Sequence, residues 1–311
     1  MINPLSRRNF LKTALETTAA VSVSAAAIAP VWGRDSSPSI AVTALGRNLL
    51  LLTGAGANVI AANGPDGLLL VDGGLQKNSG ELVKQALKAS SAKRVHALIN
   101  THWHPEQTGS NERLGKSGTK IIAHENTKQW LARKITVDWR AGSYGPLTAE
   151  ALPTESFYKS GTMTVGEEAV EYGYMAQAHT DGDVYVHFRT ANVIAAGGVG
   201  SQDRWPVLDY QTGGWIAGLV AGIDTLIRIS DENTRIVPAD GALLTRADLQ
   251  SQRKMYFTIY ERLVKCLTKG LEPSEAVATE PAKEFNPQWG DSTAFVEMAF
   301  KSLWGHYAPD A

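Results

Sequence analysis

The sequence predicts an α/β protein in which two β-sheets pack face to face with helices outside them, within one domain. Three observations predict it. Short apolar runs separated by turn residues fill 39–72, helix and strand patterns alternate over 79–134, and the same succession restarts at Gly161.

In the first series, Ile40–Leu45, Asn48–Thr53, Asn58–Ala62 and Leu68–Asp72 read as strands. Gly46-Arg47, Gly54–Gly56 and Gly64-Pro65-Asp66-Gly67 punctuate them, the pattern of an antiparallel meander. Ser79–Ala89 reads as a helix, Arg94–Asn100 as a strand, Gln107–Leu114 as a helix, Lys120–Ala123 as a strand and Asn126–Lys134 as a helix. Residues 135–158 lack periodicity and carry Gly142, Gly145, Pro146 and Pro153, so a long loop over one face is expected. The second series gives strands near Met163-Val165, Ala169–Gly173, Val184–Arg189 and Val193–Ala196, a helix at Trp215–Ile229 and a strand at Arg235–Val237. Arg246–Thr268 places Met255, Ile259, Leu263 and Leu267 at four-residue spacing, a helix with one buried stripe. A last helix spans Ser292–Trp304.

Composition bounds the function. The 311 residues are 43% hydrophobic and 20% charged, with a formal net charge of -1, which excludes disordered, collagen-like and coiled-coil chains. Such a balance provides no field for a polyanion, so no nucleic-acid partner is expected. Cys266 is the single cysteine; it excludes an internal disulfide and a Cys-rich zinc module, and reads as a small buried hydrophobe.

Residues 1–30 read as an export signal. Ser6-Arg7-Arg8-Asn9-Phe10-Leu11-Lys12 is a twin-arginine pattern, followed by a mildly apolar, Ala/Ser/Thr-rich stretch from Thr13 to Ala29 that contains Glu16. That stretch is too weak for a membrane span, which needs about 20 strongly apolar residues. Ala25, Ala27 and Ala29 offer cleavage sites. Loss of Arg7, Arg8, Lys12 and Glu16 with residues 1–29 leaves 27 basic and 30 acidic residues, a net charge of -3. The expectation is a periplasmic protein delivered by the twin-arginine export machinery, without a stable membrane span after processing, its single domain covering 38–308.

The chemistry-bearing residues concentrate just past strands. Thr101-His102-Trp103-His104-Pro105-Glu106-Gln107-Thr108-Gly109 follows the strand that ends at Asn100. Two histidines one residue apart in such a loop can turn both imidazoles to one side, suited to a cation that takes nitrogen at about 2.0–2.1 Å. Ala178-His179-Thr180-Asp181-Gly182-Asp183 adds a third histidine from the second series. Asp72, Asp181 and Asp183 read as loop-shaping residues, His124 as a residue near the cleft or one that caps or packs, and Trp103 as a wall of the pocket, while His96 and His187 fall inside strand patterns.

Taken together these segments resemble the metallo-β-lactamase-fold hydrolase superfamily over most of residues 40–270. Val71-Asp72-Gly73-Gly74 is similar to the first Asp-containing strand end of that family, and residues 101–109 to its His-x-His-x-Asp-His signature. His179 matches the third histidine. Gly197-Gly198 with Arg204-Trp205-Pro206-Val207-Leu208-Asp209 resembles the Gly-Asp segment, and Pro238-Ala239-Asp240-Gly241 the Pro-Gly-His-Gly turn. The resemblance implies an αββα sandwich with a mono- or dinuclear metal site at the sheet edges.

The departures fall in one half of that site. His102, His104 and His179 retain the first metal position, whereas the second reads Glu106, Gln107, Gly198 and Asp240. Glycine supplies no ligand atom, and an amide oxygen is a poor zinc donor. One Zn2+ per chain is therefore expected at His102, His104 and His179, with a fourth position open for water. Glu106 is the expected acid–base residue, and Asp240 the second catalytic candidate, positioning water or a substrate hydroxyl or ammonium. The implied activity is hydrolysis of a small-molecule ester, lactone, lactam or thioester. The alternative is a degenerate, non-catalytic periplasmic binder of a metal or small ligand. A mono-iron sulfur dioxygenase is disfavoured, because the carboxylate it would use aligns with Gly198.

Overall fold

The computed structural model describes residues 39–202 and 204–307. The export signal expected at 1–30 lies outside them. The chain folds as an αββα sandwich.

The first sheet has seven strands in sequential order: β1 (Ala41–Ala44), β2 (Leu49–Thr53), β3 (Val59–Gly64), β4 (Gly67–Val71), β5 (Val95–Ile99), β6 (Lys120–His124) and β7 (Glu155–Phe157). β1 to β4 form an antiparallel meander, and β4 to β7 run parallel. Helices supply the first parallel crossovers: α1 (Ser79–Ser90) lies between β4 and β5, and α2 (Pro105–Thr108) with α3 (Asn111–Lys116) between β5 and β6. α4 (Glu125–Leu131) leaves β6. The second sheet is ordered β12-β11-β10-β9-β8, from β8 (Ser160–Val165), β9 (Glu168–Tyr174), β10 (Val184–Phe188), β11 (Val193–Gly197) and β12 (Arg235–Pro238). Its helices are α5 (Ile216–Ile229), α6 (Arg246–Thr268), α7 (Pro273–Ala278), α8 (Asn286–Trp289) and α9 (Thr293–Tyr307).

Strand periodicity sorts side chains into layers. In β4, Leu69 and Val71 point between the sheets, where they meet Val170, Val184, Val186 and Val193. Leu68 and Leu70 point the other way and pack with Leu82 and Ala86 of α1. A strand buried on both faces reads as a continuous apolar run rather than as an alternation. On the far side Ile194, Ala196 and Ile236 pack against Leu219 and Ile223 of α5 and Ile259 of α6, while Ala299 and Phe300 of α9 complete that layer.

Two expectations need correction. The helix read at Gln107–Leu114 is two short helices joined at Gly109 and Ser110, where Gly109 presses against the backbone of Gly74 and Gln76 so closely that any Cβ would overlap it. The stretch 135–158 is not all loop: Glu155–Phe157 adds a parallel strand beside β6, and Ile135 and Tyr144 pair as an antiparallel bridge. α7 and α8, each at most six residues, fall below the length at which periodicity declares a helix. Among the described residues no helix is long and apolar enough to cross a membrane.

Candidate metal centre

His102, His104 and His179 are brought together at one rim of the sandwich. The loop after β5 carries the first two and the loop after β9 the third. One ligand atom from each lies within 4.8 Å of the others. The rings are 4.6, 4.7 and 4.8 Å apart between centroids and meet edge to face.

The loops are held by a polar scaffold beneath them. Asp72 accepts from Thr101 N at 2.8 Å and from Thr101 Oγ1, which in turn lies 3.0 Å from His102 Nδ1. Asn100 and Asn111 bond reciprocally, and Asn100 Nδ2 also donates to the Gln107 carbonyl. Asp183 Oδ2 accepts from the backbone N–H groups of His179 and Thr180, both at 2.6 Å, which bends the second loop. Asn58 Nδ2 donates to the carbonyls of Pro238 and Gly241 and fixes the turn that carries Asp240.

Each imidazole has a partner on its outer side. His102 Nδ1 faces Thr101, and His104 Nε2 lies 3.2 Å from Asp209 Oδ2. His179 Nδ1 lies 3.5 Å from Asp183 Oδ1; the pair is close enough to attract but not aligned as a hydrogen bond, so both atoms remain buried and unsatisfied. One nitrogen of each ring is thereby left for the shared centre. Burial, reinforced by the neighbouring imidazoles, holds His102 and His104 well below the ordinary histidine range. Both rings are neutral near pH 7 and keep a lone pair for a cation. Three buried, converging imidazoles are a donor set that fits a divalent transition metal.

Asp209 is the residue that sequence reasoning placed in an aligned segment without giving it a role. It is fully buried. Burial raises its carboxyl above the usual range, while Thr212, Trp139 and His179 pull it back down. Trp139 Nε1 and Asp209 Oδ1 lack aligned partners, so the indole acts there as a nearby dipole. Trp139 also packs 4.7 Å from the His104 ring and lines the cavity over the histidines. Trp103, between the two histidines, lies behind the site instead, fully buried and donating to Thr212 Oγ1. His124 caps α4 and stacks on Tyr174, away from the centre.

The cavity has a volume of about 340 Å³, and its walls include Glu106, Gln107, Gly198, Arg204 and Asp240. Glu106 accepts from Arg140 Nη1 at 3.0 Å, with both side chains about one-third exposed. Asp240 sits at the mouth, half exposed and ion-paired with Arg204. At Gly198 a Cβ would overlap the His179 ring, so no side chain of any kind fits there as the ring now stands.

The sequence profile described as the metallo-beta-lactamase superfamily matches residues 52–255. The 2,4-dinitroanisole O-demethylase subunit alpha of Nocardioides sp. (strain JS1661) is 25% identical over 169 residues, 50% of this chain and 51% of that protein. This chain therefore spans about half the length of that curated relative. Among solved structures, a metallo-beta-lactamase from Pontibacter korlensis superposes with a TM-score of 0.57 at 17% identity, over 70% of this chain and 98% of that one. The stereoselective inverting sec-alkylsulfatase Pisa1 from Pseudomonas sp. gives a TM-score of 0.64 at 14% identity, over 88% of this chain and 51% of that one. At these identities the structures share the fold.

Proposed function

The chain belongs to the metallo-β-lactamase superfamily, and from that premise we propose that it is an exported hydrolase that uses one zinc ion to cleave a small ester, lactone, lactam or thioester. The observation that carries the reading is the convergence of three buried imidazoles on one centre lining a cavity.

His102, His104 and His179 would hold the ion, their rings oriented by Thr101, Asp209 and Asp183. Bound there, zinc would supply Lewis acidity, polarising an acyl oxygen and bringing the ionisation of water towards about pH 7. Glu106 takes the proton of the attacking water and returns it to the leaving group, which a carboxylate can do and the Gln107 amide cannot. Arg140 holds Glu106 at the cavity wall. Asp240, tied to Arg204, sits where it can position the substrate rather than the nucleophile.

A single ion is supported by what fills the second position. Glu106 and Asp240 each spend their charge on an arginine, and Gly198 offers neither a ligand atom nor room for one. Without a bridging carboxylate, two adjacent dications would repel without an anion between them. Periplasmic delivery is supported by Ser6-Arg7-Arg8-Asn9-Phe10-Leu11-Lys12.

One observation favours the alternative of a non-catalytic binder: the Glu106–Arg140 ion pair occupies the expected acid–base group. Zinc-loaded protein assayed against p-nitrophenyl acetate, a γ-lactone, a chromogenic β-lactam and an acyl thioester separates the two. Hydrolysis of at least one is expected, with Glu106→Gln lowering turnover by about 10²–10⁴-fold. Gln107→Ala should lower it less than about tenfold. No turnover on any of the four, with zinc bound, leaves the binder; a silent Glu106→Gln removes the assigned role.

A further inference from the structure

The cavity over the histidines continues into a second, larger one. Trp139, Arg204, Trp205, Pro206 and Val207 line both, and the larger holds about 660 Å³. Its far wall is the end of α8 and the stretch of α9 up to Lys301, including Phe295 and Met298. This wall lies beyond residues 52–255, so the matched family domain does not supply it.

The groove is apolar at its base and electrically quiet at its rim. Trp205 is stacked on Phe295 at 4.9 Å and anchored by Nε1 donating to the Gly290 carbonyl at 2.9 Å. Trp205, Pro206, Val207 and Met298 are all partly exposed; Trp205 and Met298 pack on the core with one side and leave the rest of their apolar surface open. The charged groups around them are already engaged within the protein. Lys301 pairs with Glu297 at 2.6 Å, Arg204 pairs with Asp240, Asp138 accepts from Tyr210 Oη, and Asp291 caps Thr293. A negatively charged substituent would find Arg204 and Lys301 already paired and would lose its hydration. A flat apolar group would gain from burial and from the face and edge of Trp205.

We propose that the substrate is an acyl compound without negative charge whose chain ends in an aromatic ring, the acyl group over the three histidines and the ring in the groove between Trp205–Val207 and α9. This deepens the hydrolase reading above and rests on it.

The test uses ketones, which keep the carbonyl and cannot be hydrolysed. Equilibrium dialysis of the zinc-loaded full chain compares ω-phenylalkan-2-ones, with two to six methylenes before the ring, with alkan-2-ones of the same chain lengths. The ring should improve affinity at least tenfold at the best length. Ala294→Trp, at an exposed groove position, and Met298→Lys should each remove most of that advantage, with zinc content and circular dichroism confirming the fold. An advantage below tenfold at every length, or one that both variants keep, overturns the inference. Because no ester is cleaved, a protein that holds the ring yet hydrolyses none of the four assay substrates refutes the hydrolase reading separately.

Discussion

Asp209 decides which nitrogen of His104 faces the shared centre. A buried carboxylate 3.2 Å from Nε2 favours the tautomer with its proton there, which leaves Nδ1 as the donor and makes the ring more basic. Asp209→Ala should therefore weaken zinc binding by about 10–100-fold, the usual cost of removing such a partner, while the fold persists. Competition against a chromophoric chelator measures it, and an unchanged affinity would mean that Asp209 is a packing residue. The three histidines were legible in the sequence because two share one loop and the third follows a recognisable strand. Asp209 and Trp139 were not, since each sits in an aperiodic segment whose path is set by tertiary contacts. What distinguishes Asp209 from any loop aspartate is its burial, a property that no residue spacing encodes.

Helix α6 shows how far periodicity carries. Its stripe Met255, Ile259, Leu263 is buried, but Leu267 is only partly so and Cys266 takes its place. Four-residue spacing overshoots a full turn by about 40° each step, so a stripe written that way slips off the core after a few turns. A capping box between Thr245 and Asp248 fixes the start of the helix. Ile259 is fully buried against the second sheet's outer layer. Ile259→Ala should cost about 2–5 kcal/mol in denaturant unfolding without loss of the zinc stoichiometry; a cost near zero would contradict the layer assignment. The strands were legible as apolar runs between glycine turns. β7, three residues long, and α7 and α8 were not, because elements that short are stabilised by their neighbours rather than by a pattern of their own.

For the whole molecule, the αββα architecture explains why residues from both series meet: the loop after β5 of the first sheet and the loop after β9 of the second open at the same rim, and each contributes to the histidine cluster. The nearly neutral composition and the twin-arginine pattern bear on where the protein works rather than on how it folds. Replacing Arg7 and Arg8 by lysine should strand the protein in the cytoplasm on cell fractionation; undiminished periplasmic protein would refute export by that route. The proposed single-zinc centre rests on the three histidines, with Gly198, the Glu106–Arg140 pair and the Asp240–Arg204 pair beside them in place of a second ligand set. Elemental analysis of zinc-loaded, exhaustively dialysed full-length protein tests it most directly, alongside His102→Ala and His179→Ala. The account predicts about one zinc per chain, lost in both variants. A stoichiometry near two, or zinc retained when either histidine is removed, would contradict it.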